Sequence, residues 1–155
     1  MNNNNIKSYT YLLNLAKNLT ETEDDFIANC ANISSLIFNN IKDLNWVGFY
    51  LWKNDRLILG PFQGQTATTR IELGKGVCGY SAKNKITYIV PDVHEFPGHI
   101  ACDLLTNSEI VIPLIKEEKL IGVLDIDSPK LNRFSEEDKI NLEKIATILI
   151  KNSKI

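Results

Sequence analysis

Residues 45–64, NWVGFYLWKNDRLILGPFQG, alternate between two kinds of side chain on either side of an Asn-Asp pair. Alternation with a period of two is typical of a β-strand, and Asn54-Asp55 is a typical tight turn. The stretch therefore predicts a β-hairpin with strands over Asn45–Lys53 and Arg56–Phe62. One face of the first strand is then apolar: Val47, Phe49 and Leu51. The opposite face carries two aromatic rings with a glycine between them: Trp46, Gly48 and Tyr50.

A second hairpin is predicted later in the chain, with strands over Glu109–Lys116 and Lys119–Asp127. Two shorter strands are predicted between the hairpins, over Thr68–Leu73 and Thr87–Val90. Because hairpins join antiparallel neighbours, we expect the strands to form an antiparallel sheet. Alternation along the last strand places four side chains on one of its faces: Ile121, Val123, Asp125 and Asp127.

Apolar residues at helical spacing predict three long helices and one short one: Ile6–Thr20, Thr22–Ile41, Glu136–Lys151 and Val77–Lys83. Thr22 is the expected N-cap of the second helix, and Ser135 with Asp138 resembles a capping box before the last. Helices from the two chain ends can cover one face of the sheet, which leaves the other face to the loops. The predicted fold class is therefore α+β, with a ligand pocket under the loops. We expect residues 1–5 to form a disordered tail and 6–155 to form a single domain.

The composition is that of a globular domain with no evident nucleic-acid or membrane partner. Of 155 residues, 44% are apolar and 23% are charged, and the formal net charge is −2. The scattered charges provide no basic patch for nucleic acid, and no run of about 18 apolar residues predicts a membrane-spanning helix. The N-terminal residues lack the apolar core of a secretory signal, so we expect a cytoplasmic location. The oligomeric state, including a homodimer, is left open.

Three cysteines are too few for a scaffold held by disulfides, so each is expected to be a thiol with its own role. Cys30 lies in the apolar stripe of the second helix and is expected to be buried. Cys78 opens the short helix, where backbone N–H groups favour a thiolate, but on the local sequence alone ordinary burial is the better interpretation.

Cys102 lies in a long aperiodic segment, PDVHEFPGHIACDLLTN (91–107), which also contains both histidines of the chain. Aperiodic segments of this length in a compact domain are usually functional or disordered, and the reactive residue types favour function. Three interpretations stay open. Cys102 is a nucleophilic thiolate, a metal ligand together with His94 and His99, or part of a loop whose histidines only bond the backbone.

Asp125 and Asp127 end an otherwise apolar strand, and Glu109 begins the neighbouring strand. Solvated strand-end carboxylates are one interpretation. The other is a shared site, in which crowded acids repel one another and at least one keeps its proton near neutral pH. Such a group can donate a proton to a substrate oxygen, while its ionised neighbours bind an ammonium group. Trp46 and Tyr50 can then form a wall against an apolar or sulfur-bearing substituent.

Six strings in the chain together carry a family resemblance: NWVGFYLW (45–52), LILGPFQG (57–64), GKGVCG (74–79), VPDVHEFPGHIACD (90–103), NSEIVIPL (107–114) and GVLDIDSP (122–129). They resemble the free methionine-(R)-sulfoxide reductases, which are GAF-domain enzymes. The resemblance implies a GAF-like fold: a six-stranded antiparallel sheet with helices on one face and an enclosed pocket on the other. It also implies reduction of free L-methionine (R)-sulfoxide to L-methionine, thioredoxin as the reductant, and no metal or other cofactor.

The resemblance also implies roles for individual residues. Cys102 matches the catalytic cysteine, and Cys78 matches a second family cysteine. The implied catalytic set is Cys102, Cys78, Asp125 and Glu109, and the implied substrate-binding set is Trp46, Tyr50, Glu109, Asp125 and Asp127. At one position the chain departs from the family, because Thr68 stands where a further cysteine is often found. Since that cysteine can resolve the oxidised nucleophile, the resolving role falls here to Cys78 or to an external thiol.

Two functions of other classes remain alternatives to the reductase. A GAF domain can act as a sensor that binds a small molecule without converting it, because fold alone does not determine function. A metal-dependent hydrolase using His94, His99 and Cys102 is the second alternative.

Overall fold

The structure is a computed structural model, and it describes residues 8–99 and 103–155. Within these ranges six strands form one antiparallel sheet in the order β3-β2-β1-β6-β5-β4. The strands are β1 (Trp46–Lys53), β2 (Arg56–Gly64), β3 (Arg70–Ile71), β4 (Tyr88–Val90), β5 (Ser108–Lys116) and β6 (Lys119–Ser128). The α-helices are α1 (Tyr9–Glu21), α2 (Phe26–Asn40), α3 (Gly76–Asn84) and α4 (Glu136–Asn152). The predicted tail over 1–5, the predicted helix start at Ile6, and Cys102 lie outside the described residues.

The β1–β6 pair lies at the centre of the sheet and joins the two predicted hairpins. Its register places Trp46 opposite Asp127 and Gly48 opposite Asp125. Because paired strands are about 4.8 Å apart, aromatic residues from the first hairpin lie beside carboxylates from the second. The predicted α+β class, the antiparallel sheet and both hairpins are confirmed.

Three helices, α1, α2 and α4, cover one face of the sheet and enclose an apolar core. The β1 side chains predicted to face the helices belong to this core: Val47, Phe49 and Leu51. Cys30 of α2 is fully buried there, as predicted, and burial raises the pKa of its thiol to about 12. It is therefore a protonated, unreactive thiol at neutral pH. None of the described helices is both long and apolar enough to span a membrane.

The helices near the two chain ends are joined through one buried carboxylate, that of Asp138 on α4. Tyr9 on α1 donates a hydrogen bond to Oδ1 of Asp138 (2.5 Å), and Arg133 donates to Oδ2 (3.2 Å). The Ser135 backbone N–H also donates to this carboxylate, and the Ser135 hydroxyl accepts from the Asp138 N–H. These last two bonds form the predicted capping box. Asp138 therefore fixes the start of α4 and its contact with α1 together.

Two predicted boundaries are wrong. The second helix begins at Phe26 instead of near Thr22, because the Asp25 side chain is its N-cap, while Thr22 caps the C-terminus of α1. The strand predicted over Thr68–Leu73 contains only Arg70–Ile71, since these two residues alone pair with β2. Both errors lie at element ends, where several polar residues compete for the same capping or pairing role.

The predicted face of β6 is also wrong at one residue. Ile121 packs against the helix-side core, whereas Val123 lies on the opposite side of the sheet. The β5–β6 register shifts between the pairs Leu114–Gly122 and Ile115–Leu120, so Ile121 is an extra residue on β6 that interrupts the period of two. The two aspartates beyond the shift keep the predicted face.

Replacing Asp138 by Asn should lower the free energy of unfolding by about 2–4 kcal/mol, because Arg133 loses its negative partner in a buried position. Chemical denaturation of both proteins measures the difference. Glu136→Gln is the control, since that side chain lies in the same helical turn but is 70% exposed, and its loss should stay below about 0.5 kcal/mol. Equal losses in the two variants would contradict the assignment of Asp138 as the link between α1 and α4.

Candidate active site

A cavity lies on the face of the sheet opposite the core formed by α1, α2 and α4. It contains every residue that the family resemblance assigned to substrate binding: Trp46, Tyr50, Glu109, Asp125 and Asp127. Cys78 of α3 lines the same cavity. The other described residues that line it are Ala67, Ile71, Lys75, Gly76, Val77, His99 and Thr106. The predicted site residues are therefore brought together, apart from Cys102, which lies outside the described residues.

The aromatic wall of the cavity is formed by the rings of Trp46 and Tyr50, and Phe62 stacks on Trp46 outside the cavity lining. The Trp46 ring stacks on Tyr50 (5.9 Å between ring centroids) and on Phe62 (5.3 Å). Gly48 makes the stack possible, because a Cβ at this position would lie 2.9 Å from Cζ3 of Trp46. The polar ends of two rings are bonded to the chain: Trp46 Nε1 donates to the Gln65 carbonyl (3.0 Å), and the Tyr50 hydroxyl donates to the Thr68 carbonyl (2.9 Å). The ring faces are thereby held in fixed orientations.

Phe62 supports this wall by stacking on Trp46, a role that the sequence alone did not indicate. It lies on β2 directly opposite Gly48 of β1. A glycine in the middle of an aromatic strand is the signal that a close contact from the neighbouring strand is to be expected there.

The acidic side of the cavity is formed by residues from β5 and β6, with a thiol from α3. Glu109 pairs across the ladder with Asp127, and Asp125 lies two residues before Asp127 on the same strand. Glu109 and Asp125 are 5% and 7% exposed, and Cys78 is 5% exposed. One side-chain atom from each of these three residues lies within 4.8 Å of the others. The interpretation of solvated strand-end carboxylates is therefore wrong for Glu109 and Asp125.

The buried cluster keeps Asp125 and Cys78 protonated. Burial raises the pKa of Asp125 well above its ordinary value, and the charge and hydrogen bond of Glu109 raise it further. Burial likewise raises the pKa of the Cys78 thiol, and the charges of Asp125 and Glu109 add to the effect. The burial that the local sequence favoured for Cys78 is confirmed, and Cys78 is a protonated thiol in the resting protein.

His99 and His94, which lie in the same segment, have different surroundings. His99 is close to Glu109 (Nε2 to Oε2, 3.4 Å), and burial lowers the pKa of its ring. A neutral His99 therefore faces the acidic cluster at pH 7. His94 instead lies in a short 3₁₀ turn, Val93–Glu95, where its Nδ1 is 2.8 Å from Asp92 and its side chain is 65% exposed.

The hypothesis of a metal bound by both histidines finds no support among the described residues. The side chains there that are spaced closely enough to share an ion are Cys78, Glu109 and Asp125, and neither histidine belongs to that group. A thiol and two carboxyls at this distance also form a hydrogen-bonded, proton-sharing cluster, which agrees with the raised pKa values of Asp125 and Cys78.

The segment on the C-terminal side of Cys102 is fastened to the sheet by Asn45. Its side-chain amide donates to Oδ2 of Asp103 (3.0 Å) and to Oγ1 of Thr106 (2.8 Å). Its backbone N–H donates to the Asp127 carbonyl (3.0 Å), and Thr106 Oγ1 donates to Oδ2 of Asp127 (3.5 Å). The sequence signal for Asn45 was its place at the head of the first string, directly before Trp46. Because Cys102 is covalently joined to Asp103, this anchor determines where the cysteine segment leaves the sheet.

Comparison with known proteins agrees with this geometry. Residues 29–149 match the family model described as GAF domain. The chain is 48% identical over 129 residues to the free methionine-R-sulfoxide reductase of Escherichia coli, covering 83% of this chain and 78% of that protein. It is 49% identical to the fRMsr of Staphylococcus aureus in complex with substrate, with a TM-score of 0.90 and coverage of 95% and 97%.

A further solved structure is the free methionine-R-sulfoxide reductase of Neisseria meningitidis in complex with its substrate. It is 42% identical to this chain, with a TM-score of 0.89 and coverage of 93% and 87% of the two chains. Both similarities to solved structures cover more than nine-tenths of this chain. The chain therefore belongs to the free methionine-R-sulfoxide reductase family of GAF-domain proteins.

Proposed function

We propose that this chain reduces free L-methionine (R)-sulfoxide to L-methionine, and that a dithiol protein of the thioredoxin type regenerates it. The observation that carries the proposal is the cavity itself, where a buried cluster of Glu109, Asp125 and Cys78 faces an aromatic wall. Relatives at 42–49% identity carry the name of this activity, and two were solved with substrate. We place the reaction in the cytoplasm, where thiols are kept reduced.

Substrate recognition follows from the chemistry of the two walls. The ionised members of the acidic cluster, with Asp127 beside them, suit the α-ammonium group of a free amino acid. The Trp46 face suits its S-methyl group. Methionine within a peptide has no charged ammonium at that position, so burying these carboxylates against a peptide bond would leave them without a cationic partner. The cluster therefore favours the free amino acid.

The protonated carboxyl supplies what a sulfoxide needs in order to react. Sulfoxide sulfur is a poor electrophile until its oxygen accepts a proton. Asp125, whose raised pKa keeps it neutral, is the proposed donor, and Glu109 is the group that keeps the proton on it. The Cys102 thiolate then attacks sulfur, methionine leaves with two more electrons, and Cys102 retains the oxygen as a sulfenic acid.

Cys78 is the proposed resolving thiol, since Thr68 occupies the position of the other family cysteine. The Cys78 sulfur lies within 4.8 Å of a carboxyl oxygen of Asp125. Once Asp125 has given its proton to the substrate, it is ionised and can take the proton of this thiol. The Cys78 thiolate then attacks the sulfenic sulfur of Cys102, hydroxide leaves and becomes water, and a disulfide forms. Asp125 thereby serves both halves of the cycle.

The activity is tested by a coupled assay that follows NADPH oxidation with thioredoxin and thioredoxin reductase, with the R and S forms of free methionine sulfoxide offered separately. We expect turnover of the R form alone. Cys102→Ser should abolish it, because a serine hydroxyl is a weak nucleophile and cannot form a sulfenic acid. Cys30→Ser is the matched control and should keep the wild-type rate, since Cys30 is buried on the other side of the sheet. Binding of the sulfoxide without turnover would instead support a sensor.

Asp125→Asn should reduce turnover by about 10²–10⁴-fold, because the amide has nearly the same shape but is not an acid. Steady-state kinetics on the R form measures the loss. Wild-type kinetics in this variant would remove Asp125 from the proton-donor role.

The same variant also tests the proton on Asp125 without reference to activity. A native carboxyl with a raised pKa binds more protons than the unfolded chain above about pH 4, so wild-type stability falls as the pH rises toward the native pKa. The unfolding free energy of Asp125→Asn, measured relative to wild type, should therefore increase between about pH 5 and pH 8. Asp55→Asn, at an exposed position in the β1–β2 turn, is the control variant for this comparison.

Cys78→Ser should release one methionine per enzyme and then stop when thioredoxin is the reductant, because thioredoxin attacks disulfides and none forms. Intact mass should show a protein about 16 Da heavier, whereas the oxidised wild type should be about 2 Da lighter. Cys30→Ser should match the wild type in both measurements. Undiminished thioredoxin-dependent turnover in Cys78→Ser would show that a different thiol resolves Cys102.

A further inference from the structure

Two leucines, Leu104 and Leu105, are displayed to solvent immediately after the cysteine segment. Leu104 is 92% exposed and Leu105 is 66% exposed. Among the described residues Leu104 is the most exposed large apolar side chain, and it is adjacent to a second exposed leucine, whereas single exposed apolar residues are normal on a protein surface. The cavity and the core do not account for this pair, because neither residue belongs to them.

The two leucines occupy the centre of a tight turn. The Thr106 N–H donates to the Asp103 carbonyl (3.1 Å), which closes a four-residue β-turn, and the Leu105 N–H donates to Oδ1 of Asp103 (2.9 Å). Asn45 bonds both ends of the turn, Asp103 and Thr106. Central turn positions are ordinarily polar, glycine or proline. Here a rigidly supported turn instead presents two branched apolar side chains, so little conformational freedom is lost when a partner covers them.

We propose that the Leu104–Leu105 turn is the docking surface for the dithiol protein that reduces the oxidised enzyme, an inference that rests on the proposed function. Any protein that forms a disulfide with Cys102 must bring its own sulfur into bonding contact there. Leu104 follows Cys102 by two residues, and consecutive Cα atoms are about 3.8 Å apart, so such a partner also covers the turn. Apolar side chains at that point gain free energy when the partner excludes water from them.

The exchange chemistry requires attack at Cys102, because Cys78 is 5% exposed and is out of reach of a second protein. The partner's thiolate attacks the Cys102 sulfur of the Cys78–Cys102 disulfide, which forms a mixed disulfide and releases Cys78 as a thiolate that takes up a proton. The partner's second thiolate then attacks its own sulfur in the mixed disulfide. Cys102 leaves as a thiolate, the partner leaves as a disulfide, and two electrons have passed to the enzyme.

The test compares a protein reductant with a small one on the same variants. Leu104→Ser, Leu105→Ser and the double variant are assayed with saturating R-sulfoxide, either with thioredoxin at varied concentration or with dithiothreitol. In the double variant we expect the KM for thioredoxin to rise about tenfold, while the rate at saturating thioredoxin and the dithiothreitol-supported rate stay within about twofold of wild type. Ile140→Ser is the control, since this apolar residue is 48% exposed on α4, across the sheet. It should change neither the KM for thioredoxin nor the rate with dithiothreitol.

The outcomes separate this surface from the function on which it depends. An unchanged KM for thioredoxin in the double variant overturns the docking surface. An equal loss with both reductants overturns it as well, because the turn then supports the cavity. A wild-type dimer that the double variant converts to monomer, measured by analytical ultracentrifugation, assigns the leucines to a second copy of the chain and also overturns it. Absence of wild-type turnover with either reductant rejects the proposed sulfoxide reduction, and this surface with it. Dithiothreitol activity without thioredoxin activity rejects the docking surface and the proposed thioredoxin step, and leaves the sulfoxide reduction standing.

Discussion

The pairing of β1 with β6 is the constraint on which the rest of the site depends. It joins two hairpins that are distant in sequence, and its register decides which side chains of one hairpin face those of the other. Trp46 lies opposite Asp127, and Gly48 lies opposite Asp125. A shift of one residue would send every side chain of β6 to the other face, so the aspartates would enter the apolar core under the helices. A single register therefore specifies both the core and the cavity, and a slip of the β1–β6 pairing would disrupt both.

Burial raises the pKa values in the acidic cluster, and it also carries a free-energy cost, because charged carboxyl groups lose their water. Carboxyl groups on the surface would ionise and bind water, whereas Glu109 and Asp125 are nearly sealed from solvent and cannot both carry a charge easily. The proton that Asp125 holds is the way in which the fold reduces that cost. The Cys78 thiol also avoids a buried charge, because the same burial and neighbouring acids keep it protonated. The proton on Asp125 and the protonated, unreactive thiol of Cys78 therefore have the same cause, which is the burial of the acidic cluster.

Much of this could be read from the sequence, and the failures have physical causes. Strand alternation in 45–64 and 109–127 predicted the hairpins and the two faces, because a half-buried strand leaves a period of two. The start of α2 was misplaced, since Thr22 and Asp25 are both good N-caps and only the fold decides between them. Burial of Cys78 was indicated by the local sequence, but its acidic surroundings were hidden, because that sequence shows a helix start and not the carboxylates that β5 and β6 bring to it. The role of Asn45 was hidden in the same way, since it depends on contacts with Asp103 and Thr106, far along the chain.

The contact of α1 with α4, fastened by Tyr9 and Asp138, has a consequence for how the chain folds during synthesis. The helix side of β5 is covered by α4, a helix that follows every strand in the sequence. A ribosome releases the strands first, so this part of the sheet lacks its helix until α4 emerges. Contacts of such long sequence separation form slowly. The nascent chain therefore passes through a period in which all the strands have been made but the apolar side of β5 is still uncovered.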